Sequence, residues 1–351
     1  MSPTRAAGPG FTYPPFAALV FTPLSWLPFG IAVAVMQVLT AGLMFAGIGI
    51  ALRMIGVAAT PRRVALCTAA AVWAEPVRLT SDYGQINVVL VFLVLLAAYL
   101  SRSGASGALA GVAAGIKLTP AITAAYFLLS RRYWAVVWTV VSFVATVGVS
   151  MLVVPRETRL YFTTLVHDTS RIGPATNVVN QSLRGAVSRF AGTDIGGGPV
   201  WLIAVALAAV VCGIAFYAVH RRDPLIGLIV VQLFALLSSP ISWAHHWVWA
   251  VLLVVWLRFG ALRSWRPARV MSWLWIAYLL LGCNIFEITA RALGSNDGDF
   301  LYGVMTCPEV LLTVATLALL IRSRDYVEPR GESGTHAAVQ SGWPPIRTAG
   351  G

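Results

Sequence analysis

The chain has 351 residues, of which 58% are hydrophobic and 11% are charged. Soluble domains carry about 25% charged residues, so this composition, with a mean hydropathy of +0.79, excludes an ordinary soluble protein. The formal net charge is +12, yet the arginines form short clusters between apolar runs. That pattern orients membrane spans and does not follow a nucleic acid. We therefore predict a multi-pass membrane protein that binds membrane lipids and no nucleic acid.

The apolar runs predict an all-α polytopic bundle of about nine transmembrane spans. Residues 1–27 form an outer N-terminal segment without the apolar core of a signal peptide. Residues 28–52 form the first span, long enough for the ~30 Å hydrocarbon core. Further spans are predicted at 64–80, 88–100, 133–154, 201–219, 225–237, 248–257, 270–288 and 304–321. The transmembrane domain therefore covers 28–321, and the polar residues 322–351 are expected to form a disordered cytoplasmic tail.

Residues 105–130 predict a broken-helix hairpin. This apolar segment is interrupted at Lys117 and Pro120, and arginines flank it at Arg102 and Arg131. Because both flanks belong on the cytoplasmic side, the segment must enter the membrane and return. Broken helices at membrane depth are found where they are buried in protein or line a cavity. Lys117 is therefore expected near the turn.

The arginine clusters all fall on one side of this topology, which the positive-inside rule assigns to the cytoplasm. They lie at residues 53–63, 102, 131–132, 221–222, 258–269 and 322–324. The polar motifs, including the long polar loop at 155–199, then fall on the other side. We therefore predict that the functional site opens at the extracytoplasmic face of the plasma membrane.

Two adjacent histidines, His245 and His246, lie between the apolar runs at 225–237 and 248–257. Polar and ionisable groups are expensive inside a membrane and usually face a cavity or a site. The alternative is that the pair lies at the membrane surface within an aromatic belt. Its tryptophans would be Trp243, Trp247 and Trp249.

The polar motifs together carry a resemblance to a known family. In chain order they are Tyr13-Pro14-Pro15-Phe16-Ala17, Tyr83-Gly84-Gln85-Ile86-Asn87, Gly115-Ile116-Lys117-Leu118-Thr119-Pro120, Asn180-Gln181-Ser182 and the stretch 239–246. From about residue 11 to about residue 322, their order and spacing resemble the signatures of the actinobacterial polyprenol-phosphate-mannose-dependent alpha-mannosyltransferases. These are GT-C-type membrane glycosyltransferases.

The resemblance implies a GT-C-like fold and an inverting mannosyl transfer at the outer face of the plasma membrane. The donor would be a polyprenyl-phosphate sugar, and the acceptor a lipid-linked glycan of the phosphatidylinositol mannoside or lipomannan type. The family's general base is an acidic residue on an outer loop ahead of the Tyr-Pro-Pro element, so it is expected upstream of Met1. Either the start lies downstream of the true one, or this copy is truncated and impaired. Both explanations stay open.

We assign the donor phosphate to Lys117, His245 and His246. Cationic or hydrogen-bond-donating groups stabilise a departing phosphate, and histidine donates from a neutral or a charged ring. Lys117 is the only lysine of the chain, and a lone ammonium in a broken helix needs an anionic partner. Its alternative role is snorkelling to lipid headgroups. No cofactor is expected, and no metal either, because no carboxylate lies near the histidine pair in sequence.

The other polar residues of the motifs are predicted to bind substrate, each with a structural alternative. They are Tyr13, Pro14, Asp82, Gln85, Asn87, Asn180, Gln181 and Arg184. The amides of Gln85 and Asn87 suit sugar hydroxyls or hydrogen bonds between helices. The loop at Asn180 contacts substrate or caps itself, and the Tyr-Pro pair shapes an acceptor entrance or starts a helix. Asp82 contacts substrate or caps the following helix.

Two other classes of function remain open. A secondary transporter or lipid flippase also uses broken helices and intramembrane polar groups. The sequence argues against it, because the motifs cluster at one face and no pair of interrupted helices recurs in two halves. A catalytically impaired paralogue that binds lipid or a partner is the other alternative.

Overall fold

The computed structural model describes residues 11–100 and 104–326, and the regular elements in these ranges are all helices. The α-helices are α1 (Pro15–Phe21), α2 (Phe29–Met54), α3 (Pro61–Ala71), α4 (Glu75–Asp82), α5 (Asn87–Tyr99), α6 (Gly104–Ile116), α7 (Thr123–Leu129), α8 (Tyr133–Val153), α9 (Pro155–Leu160), α10 (Leu183–Ala191), α11 (Pro199–Val219), α12 (Pro224–Ser238), α13 (Trp249–Phe259), α14 (Arg266–Leu281), α15 (Cys283–Ala292), α16 (Phe300–Met305) and α17 (Pro308–Arg322). Short 3₁₀ helices cover Thr22–Trp26, Thr119–Ile122, Ala244–His246 and Ser323–Asp325, and a π-helical turn covers Tyr161–Leu165. Asn180 and Trp243 form an isolated antiparallel bridge.

Three of the described helices, α2, α8 and α11, are long and apolar enough to cross a membrane. In the most apolar 18-residue stretch of each helix, only 22%, 17% and 22% of the residues are buried, so most of these side chains face outward. Such surfaces are stable against hydrocarbon and not against water. The bent pair α14 and α15 adds a fourth candidate, and the shorter apolar helices include α5, α6, α12 and α13. The all-α multi-pass architecture is therefore confirmed, and the number of spans stays a prediction.

Two predicted spans are broken in the structure. Residues 64–80 form α3 and α4, because Pro76 at the start of α4 lacks an amide N–H and ends any helix running into it. Residues 270–288 are bent by 80° between α14 and α15. The bend lies at Gly282, whose φ of +80° is readily adopted by glycine. The Glu75 carboxylate packs there, accepting the Cys283 amide at 3.0 Å.

The loop and tail predictions also need correction. The predicted polar loop at 155–199 contains α9, the π-helical turn and α10. The predicted disordered tail begins too early, because α17 and a 3₁₀ turn continue to Asp325 and Tyr326 stacks on Trp265 at 5.2 Å. The rest of that tail, 327–351, and the first ten residues of the N-terminal segment lie outside the described residues.

Helix α12 forms the centre of the bundle. It is apolar on all sides, and its buried residues include Leu225, Ile226, Leu228, Ile229 and Leu233. A helix that is hydrophobic all round is stable only when other elements surround it. It packs against α7, α11 and α13. Its C-terminal end therefore presents the histidine loop from a fixed position.

Helix α6 packs against α8 through glycines spaced by four residues. A Cβ atom at Gly107 would overlap the Ala135 carbonyl oxygen, and one at Gly111 would overlap the Thr139 carbonyl oxygen. Small residues at this spacing let two membrane helices approach closely. This packing holds the end of α6, where Lys117 follows.

The predicted hairpin is confirmed by the contacts at its two ends. The Arg132 guanidinium, which follows α7, donates to the Ser106 hydroxyl near the start of α6 and to the Ala97 carbonyl oxygen near the end of α5. Lys117 lies at the other end of α6, beside the histidine loop. The segment therefore runs away from the arginine-rich end of the bundle and returns to it.

Candidate functional site

Lys117 lies at the centre of a polar cluster built from distant parts of the chain. Its Nζ atom lies 2.9 Å from the Oδ1 atom of Asn87, the first residue of α5. It also lies 2.9 Å from the Nε2 atom of His246, at the end of the 3₁₀ turn after α12. The same atom lies 5.3 Å from the centroid of the Tyr13 ring, within cation–π range. Residues predicted separately from sequence therefore meet at one point.

Tyr13 and Gln85 connect the N-terminal segment to this cluster. The Tyr13 hydroxyl donates to the Gln85 Oε1 atom. Pro14, which precedes α1, is buried and adopts the extended conformation that begins a helix. The Arg171 guanidinium holds the same segment by donating to the Thr12 carbonyl oxygen at 3.2 Å. The Tyr-Pro element therefore starts a helix and also places an aromatic ring against Lys117.

The two histidine rings have different surroundings. His246 faces Lys117, whereas His245 packs edge-on against Tyr83 with 5.6 Å between ring centroids and is 8% exposed. The two histidine rings are 4.6 Å apart. Thr80, at the C-terminal part of α4, donates to the His245 carbonyl oxygen at 3.2 Å. Adjacent residues thus point to different partners, as expected from their positions in the chain.

The Lys117–His246 contact limits the charge of the cluster. One group must donate and the other accept, so the two cannot both be cationic. Burial, reinforced by the positive charge of Lys117, lowers the pKa of His245 to about 3 and the pKa of His246 well below its usual value. When the ammonium donates to Nε2, the proton of His246 lies on Nδ1, which is buried without a partner among the described residues. The neutral imidazole therefore offers an unused donor.

Asn180 joins the 180 loop to the histidine loop and is fully buried. Its Oδ1 atom accepts the Ser242 amide at 2.9 Å and the Ser182 amide at 3.3 Å. Its Nδ2 atom donates to the carbonyl oxygens of Ala175 and Pro240. All the hydrogen-bonding capacity of this amide is used within the protein. The geometry favours the structural alternative for Asn180, because it holds the segment that carries the histidines.

Gln181 and Arg184 also bond to the protein, although the Gln181 Oε1 atom is buried without a partner among the described residues. Gln181 is fully buried, and its Nε2 atom donates to the carbonyl oxygens of Val178 and Thr306. The Arg184 guanidinium forms a two-point ion pair with Asp194, at 2.9 and 2.7 Å. This hydrogen-bonded pair lowers the pKa of the Asp194 carboxyl. Neither residue contacts the Lys117 cluster in the structure.

Asp82 is the last residue of α4 and is exposed. The prediction that it caps the next helix is wrong, because α5 starts after Ile86 and receives no side-chain cap. The chain turns instead through Gly84, whose φ of +60° favours glycine. Asp82 therefore remains a solvent-facing carboxylate three residues from Gln85.

Sequence reasoning missed Thr80 and Arg189, and it gave Tyr83 no role of its own although this residue begins the Tyr83–Asn87 motif. Thr80 accepts the Asn87 amide at 3.3 Å and binds the histidine loop. Arg189 is fully buried and donates to the Asn180 carbonyl oxygen at 2.9 Å. The sequence shows only that Arg189 lies on a short amphipathic segment, and its burial is visible only in the structure. Nothing in sequence distinguished Thr80 from other threonines at helix ends.

A small cavity adjoins the cluster. It has a volume of 40 Å³, enough for about one water molecule. Its polar lining residues are Asn87, Thr119, Gln232 and His246. Within the described residues, no three or more His, Cys, Asp or Glu side chains come together where a metal ion would bind. The expectation of a metal-free site stays a prediction.

The chain is similar to known membrane glycosyltransferases. The sequence profile of glycosyltransferase family 87 matches residues 11–240. The polyprenol-phosphate-mannose-dependent alpha-(1-2)-phosphatidylinositol pentamannoside mannosyltransferase of Mycobacterium tuberculosis (strain CDC 1551 / Oshkosh) is 45% identical over 323 residues. That alignment covers 91% of this chain and 75% of the relative.

Two further relatives agree. The identically described enzyme of Mycolicibacterium smegmatis is 48% identical over 273 residues, covering 78% of this chain and 67% of the relative. A polyprenol-phosphate-mannose-dependent alpha-(1-2)-phosphatidylinositol mannoside mannosyltransferase of Mycobacterium tuberculosis (strain ATCC 25618 / H37Rv) is 34% identical over 281 residues. That alignment covers 74% of this chain and 64% of the relative. No solved structure matches the chain.

Proposed function

The chain belongs to glycosyltransferase family 87, and we propose that it transfers a mannosyl residue from a polyprenyl-phosphate donor to a lipid-linked mannoside. The names of the relatives support an acceptor of the phosphatidylinositol mannoside type, and the resemblance carried by the motifs also allows a lipomannan-type chain. One observation carries the proposal. Lys117, Asn87, His246 and Tyr13, from four distant segments, meet within one polar cluster of an otherwise apolar bundle.

The cluster suits the departure of a lipid phosphate. In the transfer, the bond between the anomeric carbon and the phosphate oxygen breaks, and its electron pair leaves with the polyprenyl phosphate. The acceptor oxygen bonds to the same carbon from the opposite side, which inverts it, and loses its proton. Lys117 has three N–H donors and two of its partners are Asn87 and His246. The remaining N–H stabilises the phosphate as negative charge grows on it.

The histidines and amides have supporting roles in this proposal. A neutral His246 fixes the ammonium without adding charge repulsion. Gln85, half-buried and bonded through its Oε1 atom to Tyr13, directs its amide NH₂ group toward sugar hydroxyls. Asn180, Gln181 and Arg184 act by fixing the loops around the histidines.

The base for the acceptor hydroxyl is a separate group. Among residues 11–100 and 104–326, the hydrogen bonds of Lys117, His246, Asn87 and Tyr13 involve no carboxylate. Proton removal needs a group of suitable pKa within hydrogen-bonding reach of that hydroxyl. We therefore place the base outside this cluster, on the acceptor side.

The site faces the outside of the plasma membrane in this proposal. The cluster lies beyond Ser238, at the C-terminal end of α12. The arginines at 131–132 and 221–222 lie at the N-terminal end of the same helix. Arginine-rich ends remain in the cytoplasm. The lipid donor and the lipid acceptor therefore meet at the outer leaflet.

A transfer assay tests the proposed function. Membranes that contain the full chain are supplied with radiolabelled polyprenyl-phosphate mannose and a phosphatidylinositol mannoside acceptor. We expect a labelled lipid with one more mannose, which membranes lacking the chain do not form. If the donor is moved across vesicle bilayers without any labelled product, the protein is a transporter and the proposal is wrong.

A further inference from the structure

A second cavity lies at the end of the bundle opposite the Lys117 cluster. It has a volume of 460 Å³, and its polar lining is basic. Its lining includes Tyr99, Tyr126, Arg131, Arg132, His220 and Arg221. The cavity contacts Pro224, the first residue of α12, and the histidine loop follows Ser238, the last residue of that helix. With 15 residues, α12 separates the two sites by about 22 Å.

We propose that this cavity binds the phosphate headgroup of an anionic phospholipid from the arginine-rich side of the membrane. It is independent of the transfer site, and its basis is the charge, strain and surroundings of the arginines that line it. Basic pockets between membrane helices bind lipid phosphates in this way.

The charge of the cavity is uncompensated by the described residues. Arg131 and Arg221 are exposed at its mouth and form no ion pair in the described ranges. The nearby Asp223 carboxylate forms no ion pair with these arginines among the described residues, and it accepts the amides of Leu225 and Ile226 and the Trp256 Nε1–H group instead. The Nε–H group of Arg132 is buried without a partner. An anion in the cavity would satisfy these donors.

The backbone of Arg131 gives an independent reason. Its φ is +57°, and it is the non-glycine residue with positive φ within 11–100 and 104–326. The left-handed conformation costs an ordinary side chain free energy that glycine does not lose. Strained backbone positions cluster at functional sites. At this turn between α7 and α8 glycine would fit at lower cost, so the strain supports a role for the Arg131 side chain in the cavity.

The surroundings indicate a lipid as the source of the phosphate. Leu100 and Leu128, next to residues of the lining, are 41% and 54% exposed. Tyr217, one turn before Arg221, is 63% exposed. These apolar side chains lie beside acyl chains when the headgroup is in the cavity, whereas a soluble phosphate would make no use of them. Arginine binds phosphate through its planar fork of N–H donors.

Native mass spectrometry of the purified full chain tests this proposal. The probes are dioleoylphosphatidylglycerol, dioleoylphosphatidylcholine and inorganic phosphate. We expect retention of the phosphatidylglycerol over the neutral-headgroup lipid. The double variant Arg131→Gly/Arg221→Ala should retain at least about tenfold less phosphatidylglycerol than the wild type, since each removed charge-assisted contact is worth roughly a factor of ten.

The variants are chosen to separate binding from folding and from general surface charge. Arg131→Gly relieves the positive φ, so its melting temperature without lipid should not fall. The matched control, Arg53→Ala/Arg62→Ala, removes the same charge from exposed arginines of the same end that do not line the cavity. Its lipid retention should stay within about twofold of the wild type.

Two outcomes would overturn the proposal. Equal losses in the cavity variant and the control variant would show that the arginines act only as diffuse surface charge. Binding of inorganic phosphate that depends on Arg131, with no gain from the diacyl lipid, would assign the cavity to a soluble anion.

Discussion

At the scale of single residues, Lys117 is the group on which the proposed chemistry depends. Its three described neighbours, Asn87, His246 and the Tyr13 ring, hold its Nζ atom without neutralising its charge. The sequence predicted that Lys117 and the histidines act together on the donor phosphate, because ionisable groups are costly within an apolar chain. It did not predict that Asn87 and Tyr13 contact Lys117. The contribution of Thr80 was not predictable, since threonine is common at helix ends, and Tyr83 was recognised only as part of a motif.

Replacing Lys117 tests the phosphate role directly. Lys117→Met keeps the length of the side chain and removes the charge, so transfer should fall on the order of 10²–10³-fold, as for loss of one oxyanion donor. Lys117→Arg keeps the charge with a different geometry, so its transfer rate should fall less. Expression and melting temperature should remain near those of the exposed control Arg62→Ala. A Lys117→Met protein with near-normal transfer would remove the phosphate role.

The histidine pair gives a second prediction, because only His246 faces Lys117. His246→Ala should reduce transfer on the order of 10²-fold, whereas His245→Ala should stay within about tenfold of the wild type. His246→Gln keeps an acceptor for the ammonium and should lie between the two. Initial rates with labelled donor measure the order. A larger loss at His245 would show that the Lys117–His246 contact is not the functional one.

At the scale of elements, the hairpin α6–α7 was predictable and the broken spans were not. Arginines on both flanks and Pro120 within the segment indicated a turn, and Arg132 closes the hairpin in the structure. Hydropathy is averaged over a stretch of residues, so the predicted span at 64–80 continued across the break before Pro76. The bend at Gly282 packs against the Glu75 carboxylate, which is distant in sequence, so a local pattern does not show this contact.

The glycines of α6 predict an element-level effect. Alanine is favoured over glycine in a helix by about 1 kcal/mol, but Gly111→Ala would press a Cβ into the Thr139 carbonyl oxygen. Overpacking of this kind costs about 1–3 kcal/mol, so the melting temperature and the transfer rate should both fall. The control is Gly148→Ala on α8, where nothing lies within 4 Å and stability should not fall. Equal behaviour of the two variants would contradict close α6–α8 packing.

At the scale of the whole molecule, the sequence predicts that arginines gather at one end of the bundle, and it does not determine the number of spans. The structure brings Arg131, Arg132 and Arg221, from two of the arginine clusters, together around one cavity. The polar motifs meet at the other end of α12. The number of spans is harder to predict, because many of the apolar helices are short: α5 and α6 have 13 residues each and α13 has 11. Such helices form a compact bundle only through contacts that hydropathy does not encode.

Cysteine labelling tests the orientation of the whole bundle. Thr193→Cys lies in the exposed loop after α10, and Ala261→Cys lies in the exposed turn between α13 and α14, on the arginine-rich side. The native thiol Cys67 is half-buried and is first replaced by alanine, whereas Cys212, Cys283 and Cys307 are buried. In intact cells, a membrane-impermeant maleimide should label Thr193→Cys and should reach Ala261→Cys only after the membrane is opened, because arginine-rich loops stay in the cytoplasm. Labelling of both positions in intact cells would contradict the topology, and the reverse pattern would place the Lys117 cluster on the cytoplasmic side.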